Sequence, residues 1–256
     1  MTEHVTARNI ADPLQKLAWN LGFYGLCRRW AEVKDLPEIK HIVELEEKER
    51  AERSLENRIR LSKISRFRPM ADFDWQWPTE IDRLAIDDLL TLKFVKEGLN
   101  PILIGPNGVG KTMIAKNLAH RALLAGHTVR FTTAAAMLGQ LAETDSASLR
   151  HRLMSALHKL DFLAIDEVGQ LSYDTRFADL FYEVISCRYE QQRPTLISTN
   201  KEFTQWDEIF PSKSTTVTIV ERLIHRSEII QIKGPSYRKF EAEERARARA
   251  AARAER

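Results

Sequence analysis

The chain has 256 residues, 43% of them hydrophobic, and a net charge of +3, enough for one large domain with a smaller appendage around an apolar core. Two widely separated cysteines, Cys27 and Cys187, and seven scattered histidines exclude a disulfide framework and the usual zinc spacings, and suit a reducing compartment. No apolar run approaches the ~18 residues of a membrane span and no hydrophobic leader follows Met1, so a soluble, cytoplasmic protein is expected.

Residues 1–70 predict a small all-helical domain. Leu14, Leu17, Leu21 and Tyr24 recur at helical spacing with Trp19, Phe23 and Trp30 nearby, and strand-like alternation is missing. From Pro37 the segment becomes strongly charged, and residues 58–68 are basic with apolar residues interleaved. Two readings stand side by side: a solvated helical appendage, or a surface that meets nucleic-acid phosphates or a partner protein. Pro69 and Pro78 bracket an aromatic connector, Phe73-Asp74-Trp75-Gln76-Trp77, whose three rings suit packing anchors better than a platform for stacked bases. Residues 81–98 predict one helix with Gly98 as its stop.

Strands and helices then alternate, the pattern of a parallel sheet covered on both faces. Strands are predicted at 100–104, 127–131, 161–165, 195–198 and 229–232, and helices over 113–125, 134–142, 148–157 and 176–191. Ligands of such sheets sit at the carboxyl ends of the strands, and three polar features fall there.

The first is Gly105-Pro106-Asn107-Gly108-Val109-Gly110-Lys111-Thr112, which satisfies the phosphate-loop pattern G-x-x-x-x-G-K-[ST] at every fixed position, between a strand and a helix. Backbone N–H groups from Gly105 to Met113 would converge on ATP phosphates at the positive end of that helix. Lys111 would set a point charge against the β- and γ-phosphates, and Thr112 would offer its hydroxyl to Mg²⁺. The second feature is Asp166-Glu167 at a strand end: Asp166 to hold Mg²⁺ opposite Thr112, Glu167 to orient a water for attack. That second acid marks a hydrolase rather than a kinase. The third is Asn200, whose amide would reach the attacking water and a γ-phosphate oxygen, or instead cap the next turn. Positive charge for the transferring phosphoryl group has four candidates, Arg188, Arg193, Arg222 and Arg226, among which chemistry alone does not choose. The tail, residues 239–256, is arginine-rich with good helix propensity and no apolar stripe; a solvated helix or disorder is expected, with a phosphate-contacting arm as the alternative.

In this order, Gly105 to Thr112, Asp166-Glu167 and Ser198-Thr199-Asn200 resemble the AAA+ ATPases. More narrowly, the chain is similar to the IstB family, ATP-dependent helpers of two-gene insertion sequences and relatives of the DnaC-type helicase loaders. The residues that carry this are Leu163-Ala164-Ile165-Asp166-Glu167-Val168-Gly169, Ile185-Ser186-Cys187-Arg188-Tyr189-Glu190, Thr199-Asn200-Lys201-Glu202-Phe203-Thr204-Gln205-Trp206, Glu221-Arg222-Leu223-Ile224-His225 and Ile232-Lys233-Gly234-Pro235-Ser236-Tyr237-Arg238. The resemblance implies an αβα AAA+ core with a parallel sheet over residues 71–238, preceded by a helical N-terminal domain, 1–70, for oligomer or DNA contacts, and followed by the charged tail.

It further implies a Mg²⁺-dependent ATPase in which Lys111 and Thr112 are Walker A residues, Asp166 and Glu167 Walker B, and Asn200 sensor 1. Arg222 falls at the arginine finger, reaching a neighbouring subunit's nucleotide. The partners implied are duplex DNA, further copies of the chain and a DDE-type transposase. Two departures stand out: Glu221 replaces the family's usual Asp, and no lid domain with a sensor-2 arginine follows residue 238. Within the same fold the alternative is a DnaC-like replicative helicase loader. Glu167 and Asn200 argue against a small-molecule P-loop kinase, and Glu167 against a non-hydrolysing scaffold.

Overall fold

The computed structural model describes residues 10–170 and 172–254. The outermost parts of the predicted end domains, residues 1–9 and 255–256, lie outside the described residues. The chain divides into two compact units, Met1–Asn57 and Arg58–Arg256.

In the first unit, α1 (Pro13–Asn20), α2 (Tyr24–Arg28), α3 (Trp30–Val33) and the start of α4 (Pro37–Ser62) enclose a small core of Ala18, Leu21, Cys27, Trp30 and Val43, flanked by Leu14 and Leu17. Asp12 caps α1, accepting from Leu14 N–H at 2.8 Å, and also accepts from the Trp30 indole N–H at 2.8 Å. Through that indole bond above all, its carboxyl is held below the usual value. Tyr24, expected at the helical seam, is half exposed and stands edge-on to Trp19 at 4.8 Å. Beyond Val43, α4 is stabilised along its surface by pairs four residues apart, such as Arg50 with Glu46 at 2.5 Å.

The second unit contains β1 (Glu80–Ile81), α5 (Arg83–Leu89), α6 (Lys93–Glu97), β2 (Asn100–Ile104), α7 (Lys111–Leu124), β3 (Val129–Thr133) and α8 (Ala134–Ala142). It continues with α9 (Ala147–Lys159), β4 (Phe162–Val168), α10 (Thr175–Glu190), β5 (Thr195–Thr199), α11 (Lys213–Ile224), β6 (Ser227–Lys233) and α12 (Tyr237–Ala254). Among the described residues six strands form one sheet in the order β1-β6-β2-β5-β4-β3. All neighbours are parallel except β1, which runs against β6.

Side chains alternate across a strand, and the two faces of the sheet accordingly carry separate apolar layers. Ile102, Ile104, Leu163, Ile165 and Ile197 meet α8, α10 and α11 on one face. Leu103, Phe162, Ala164 and Leu196 meet α5, α6 and α7 on the other. This is the expected αβα arrangement, and it brings the carboxyl ends of β2, β4 and β5 to one edge.

Three local readings are corrected. Residues 81–98 are not one helix: β1 takes Glu80–Ile81 into the sheet, and the helix breaks at Leu92, whose φ of 65° is left-handed, after the Thr91 hydroxyl has bonded back to the Asp88 carbonyl at 2.7 Å. β3 begins two residues later than predicted, because Thr128 is held by Asp161 through both its N–H and its hydroxyl at 2.8 Å. The sequence reading missed α11, whose first turns are Ser- and Thr-rich; Ser212 caps it and the Thr216 hydroxyl bonds back to the Ser212 carbonyl at 2.8 Å. Residues 58–68 belong to the second unit. Ile64 packs on its core, Phe67 lies 5.2 Å from His120, and the Arg68 carbonyl accepts from the Asn117 amide at 3.0 Å. No described helix is long and apolar enough to cross a membrane.

Candidate nucleotide-binding site

At the carboxyl edge of the sheet lies a cleft of about 440 Å³, floored by residues 107–113 and walled by Asp166, Glu167, Ser198 and Asn200. The loop after β2 owes its shape to its glycines. Gly108 and Gly110 have φ of 87° and 104°, a region open to glycine and costly for other residues. A β-carbon at Gly108 would collide with the Ser236 hydroxyl, and one at Gly110 with the Phe73 ring.

Lys111 begins α7 and is almost wholly buried. Its ammonium donates to the Gly105 carbonyl at 2.6 Å and the Pro106 carbonyl at 2.8 Å, so it curls over the loop it would share with a phosphate. Burial pushes its pKa down to about 8; Arg238 pushes the same way, while Asp166 and Glu167 oppose.

Thr112 and Asp166 meet as their spacing requires: the Thr112 hydroxyl donates to Asp166 Oδ2 at 2.8 Å. Asp166 is buried, and its other oxygen accepts from the Ser198 hydroxyl on the adjacent strand. Ser198 also accepts from the Glu167 N–H at 3.2 Å, so one hydroxyl ties both acids to β5. Sequence reasoning gave Ser198 no role; its place beside Thr199-Asn200 at a strand end was the available signal.

Between Ile165 and Val168 the pairing of β4 with β5 slips by a bulge. Glu167 there has φ of 61°, a strained conformation of the kind held at functional sites. It turns the carboxylate out of the sheet into the cleft. Hard oxygen donors are thus held together at the loop, and no group of three His, Cys, Asp or Glu side chains forms a metal cluster among the described residues. Such a donor set fits Mg²⁺, which is held by few protein oxygens together with substrate phosphates.

Asn200 is exposed and lines the cleft. The turn after β5 is capped instead by Thr199, whose hydroxyl accepts from Lys201 N–H at 3.1 Å.

The four arginines separate clearly. Arg188 is sealed in the core, donating to Thr195 Oγ1 at 2.9 Å and to the carbonyls of Leu157, Leu160 and Pro194 at 2.7, 3.1 and 2.6 Å; desolvation takes its pKa down to about 9. Arg193 is tied to the Lys159 carbonyl at 2.7 Å. Both flank the amino-terminal ends of the strands, away from the cleft. Arg222, at the end of α11, lies over the rings of Tyr182 and Tyr189 at 5.1 and 5.8 Å, with one guanidinium nitrogen lacking a hydrogen-bond partner among the described residues. Neither it nor Arg226 lines the cleft of its own chain.

The other wall was missed in the sequence. Phe73 and Trp77 of the connector, and Tyr237, Arg238 and Glu241 of α12, complete the cleft. The Trp77 indole donates to the Pro235 carbonyl at 2.9 Å, the Tyr237 N–H to the Gly108 carbonyl at 3.0 Å, and Arg68 pairs with Glu241 at 2.8 Å. The connector rings do pack, as expected, and in packing they line the site.

Comparison with known proteins agrees with this geometry. The chain is 33% identical over 77% of its length to a relative in Geobacillus stearothermophilus named for ATP binding in insertion sequence IS5376, covering 78% of that protein. Its fold is similar to the crystal structures of DnaI (TM-score 0.55, 21% identity, 68% of this chain and 92% of that one) and of the DnaC helicase loader (TM-score 0.51, 17% identity, 67% and 97%). Residues 30–245 match the family described as IstB-like ATP binding protein. The chain belongs to the IstB-like ATP binding protein family.

Proposed function

We propose that the cleft binds ATP with Mg²⁺ and hydrolyses it, and that the nucleotide controls assembly of several copies on duplex DNA in the cytoplasm, where they recruit or stimulate a partner DDE transposase. The observation that carries this reading is the pairing of the buried Asp166 with Thr112 and Ser198, beside a Glu167 turned into the cleft. The insertion-sequence setting of the relatives supports the partners.

In this reading Lys111 exchanges the Gly105 and Pro106 carbonyls for oxygens of the β- and γ-phosphates, while loop N–H groups from Gly105 to Met113 cradle them. Thr112 and Asp166 hold Mg²⁺, which when bound neutralises charge developing on the phosphates. Glu167 orients and polarises the attacking water, and Asn200 hydrogen-bonds that water and a γ-phosphate oxygen. Arg222 faces away from its own nucleotide and serves the cleft of a neighbouring copy. The helical N-terminal domain contributes oligomer or DNA contacts.

Glu167→Gln is expected to keep ATP affinity within a few-fold, to lower hydrolysis by about 10²-fold or more, and to leave ATP-bound assemblies on DNA. Phosphate-release and gel-shift assays check this, and normal hydrolysis by the variant contradicts the role of Glu167. A DnaC-like helicase loader remains the second reading, since DnaI and the DnaC loader share the fold. Pull-downs against a transposase and a replicative helicase separate the two.

A further inference from the structure

α12 has its root in the nucleotide cleft and its length in solvent. Tyr237 and Arg238 in its first turn line the cleft, Ser236 just before it packs on Gly108, and Glu241 is anchored by Arg68. Beyond Glu241 every described side chain is exposed, and residues 242–254 are alanine, glutamate or arginine throughout.

The arginines are not scattered evenly. Counting from Arg238, Arg245, Arg249 and Arg253 follow at intervals of seven, four and four residues, so at 3.6 residues per turn all four fall within about 80° of the helix circumference. Successive members of the outer three are about 6 Å apart along the axis. Arg247, on the opposite side, is satisfied by Glu244 at 3.1 Å. Arg245 has only a loose pair with Glu241 at 3.9 Å, and among the described residues Arg249 and Arg253 have no ion-pair partner. The acidic residues of the helix, Glu241, Glu243 and Glu244, all precede Arg245.

We propose that α12 is a nucleic-acid-binding arm: its arginine stripe takes the phosphates of duplex DNA, and its root in the ATP cleft couples that grip to the bound nucleotide. This rests on the ATP- and DNA-binding reading above and names the element that connects the two ligands. The face has no aromatic or long aliphatic side chain to anchor a protein partner, whereas guanidinium forks match phosphate oxygens. At the root, Arg238 and Lys111 repel each other across the cleft. A triphosphate between them turns that repulsion into a shared attraction, which fixes the first turn and so the direction of the stripe. Coupling of this kind is reciprocal: DNA must raise ATP affinity by the factor by which ATP raises DNA affinity.

The test uses the full-length chain and a fluorescent duplex, titrated over a range of salt with and without MgATP. The triple variant Arg245→Gln, Arg249→Gln, Arg253→Gln leaves the cleft intact and keeps good helix formers. Expected are an affinity loss of about tenfold or more, a log K against log salt slope shallower by about 2 to 3, loss of the ATP-dependent gain, and ATP affinity without DNA within twofold of the parent. The corresponding triple lysine variant is expected to recover most of the slope, because the charge is kept. If the parent binds duplex DNA and the glutamine variant binds it with the same slope and the same response to ATP, the arm is excluded and the ATPase reading stands. If the parent binds no duplex DNA with MgATP, the broader reading of DNA-bound assembly fails and takes the arm with it.

Discussion

Lys111 shows how much of a site's behaviour one buried charge can set. Its ammonium has lost water and gained only two carbonyls, and its pKa lies at about 8 rather than 10.5. Phosphate oxygens favour the charged form and raise that value on binding. Below about pH 8 the lysine is already protonated and ATP binding takes up no proton there. Between about pH 8 and the higher value in the complex, binding takes up close to one proton, and affinity falls by up to tenfold per pH unit. Calorimetry at pH 7 and pH 9 in two buffers of different ionisation heat measures this; equal uptake at both pH values contradicts it. The positions that motif spacing fixes, Lys111, Thr112, Asp166 and Glu167, were legible in the sequence as neighbours in one cleft. Ser198 was not, because its role depends on which strand lies beside β4, and pairing order is a property of the fold. Arg188 shows the converse: a strand-flanking arginine has the chemistry of a finger, and only burial against Thr195 and three carbonyls reveals a structural one.

Among the elements, those with a single strong signal were the most legible: apolar runs such as residues 100–104 and 161–165, and periodic helices such as α8 and α10. α11 stayed hidden because its serines and threonines cap and back-bond, which looks like loop chemistry until Ser212 is seen to start a helix. The helix predicted over 81–98 failed for a local reason, the left-handed Leu92. The tail was expected to be a solvated helix or disordered, with a phosphate arm as alternative, yet the aromatic contacts of the first turn of α12, Trp77 with Tyr237 at 5.2 Å and with Phe240 at 4.5 Å, join residues about 160 positions apart and leave no periodic trace. In the helical unit, α1 depends on one side chain. Asp12→Ala removes the cap on Leu14 N–H and the partner of the buried Trp30 indole. It is expected to lower the stability of that unit by about 1–3 kcal/mol, read as an earlier Trp30 fluorescence transition on heating. Because the Asp12 carboxyl titrates below 3.8 in the folded chain, its stabilisation is present above that pH and lost as pH falls through the lower value; an unchanged transition at neutral pH contradicts the assignment.

At the scale of the molecule, alternation of strands and helices already implied a parallel sheet with helices on both faces, and a cleft does lie at its carboxyl edge. What alternation could not supply was the closing wall of the cleft, which comes from the aromatic connector before the sheet and from α12 after it. The central claim is that this cleft is a nucleotide site whose affinity depends on Lys111. Isothermal calorimetry of the full chain with ATP and Mg²⁺ tests it most directly. Saturable heat with one site per chain, weakened roughly a hundredfold by Lys111→Ala as a charged phosphate contact is lost, is the predicted result; no binding by the parent chain, or equal binding by both, would contradict it.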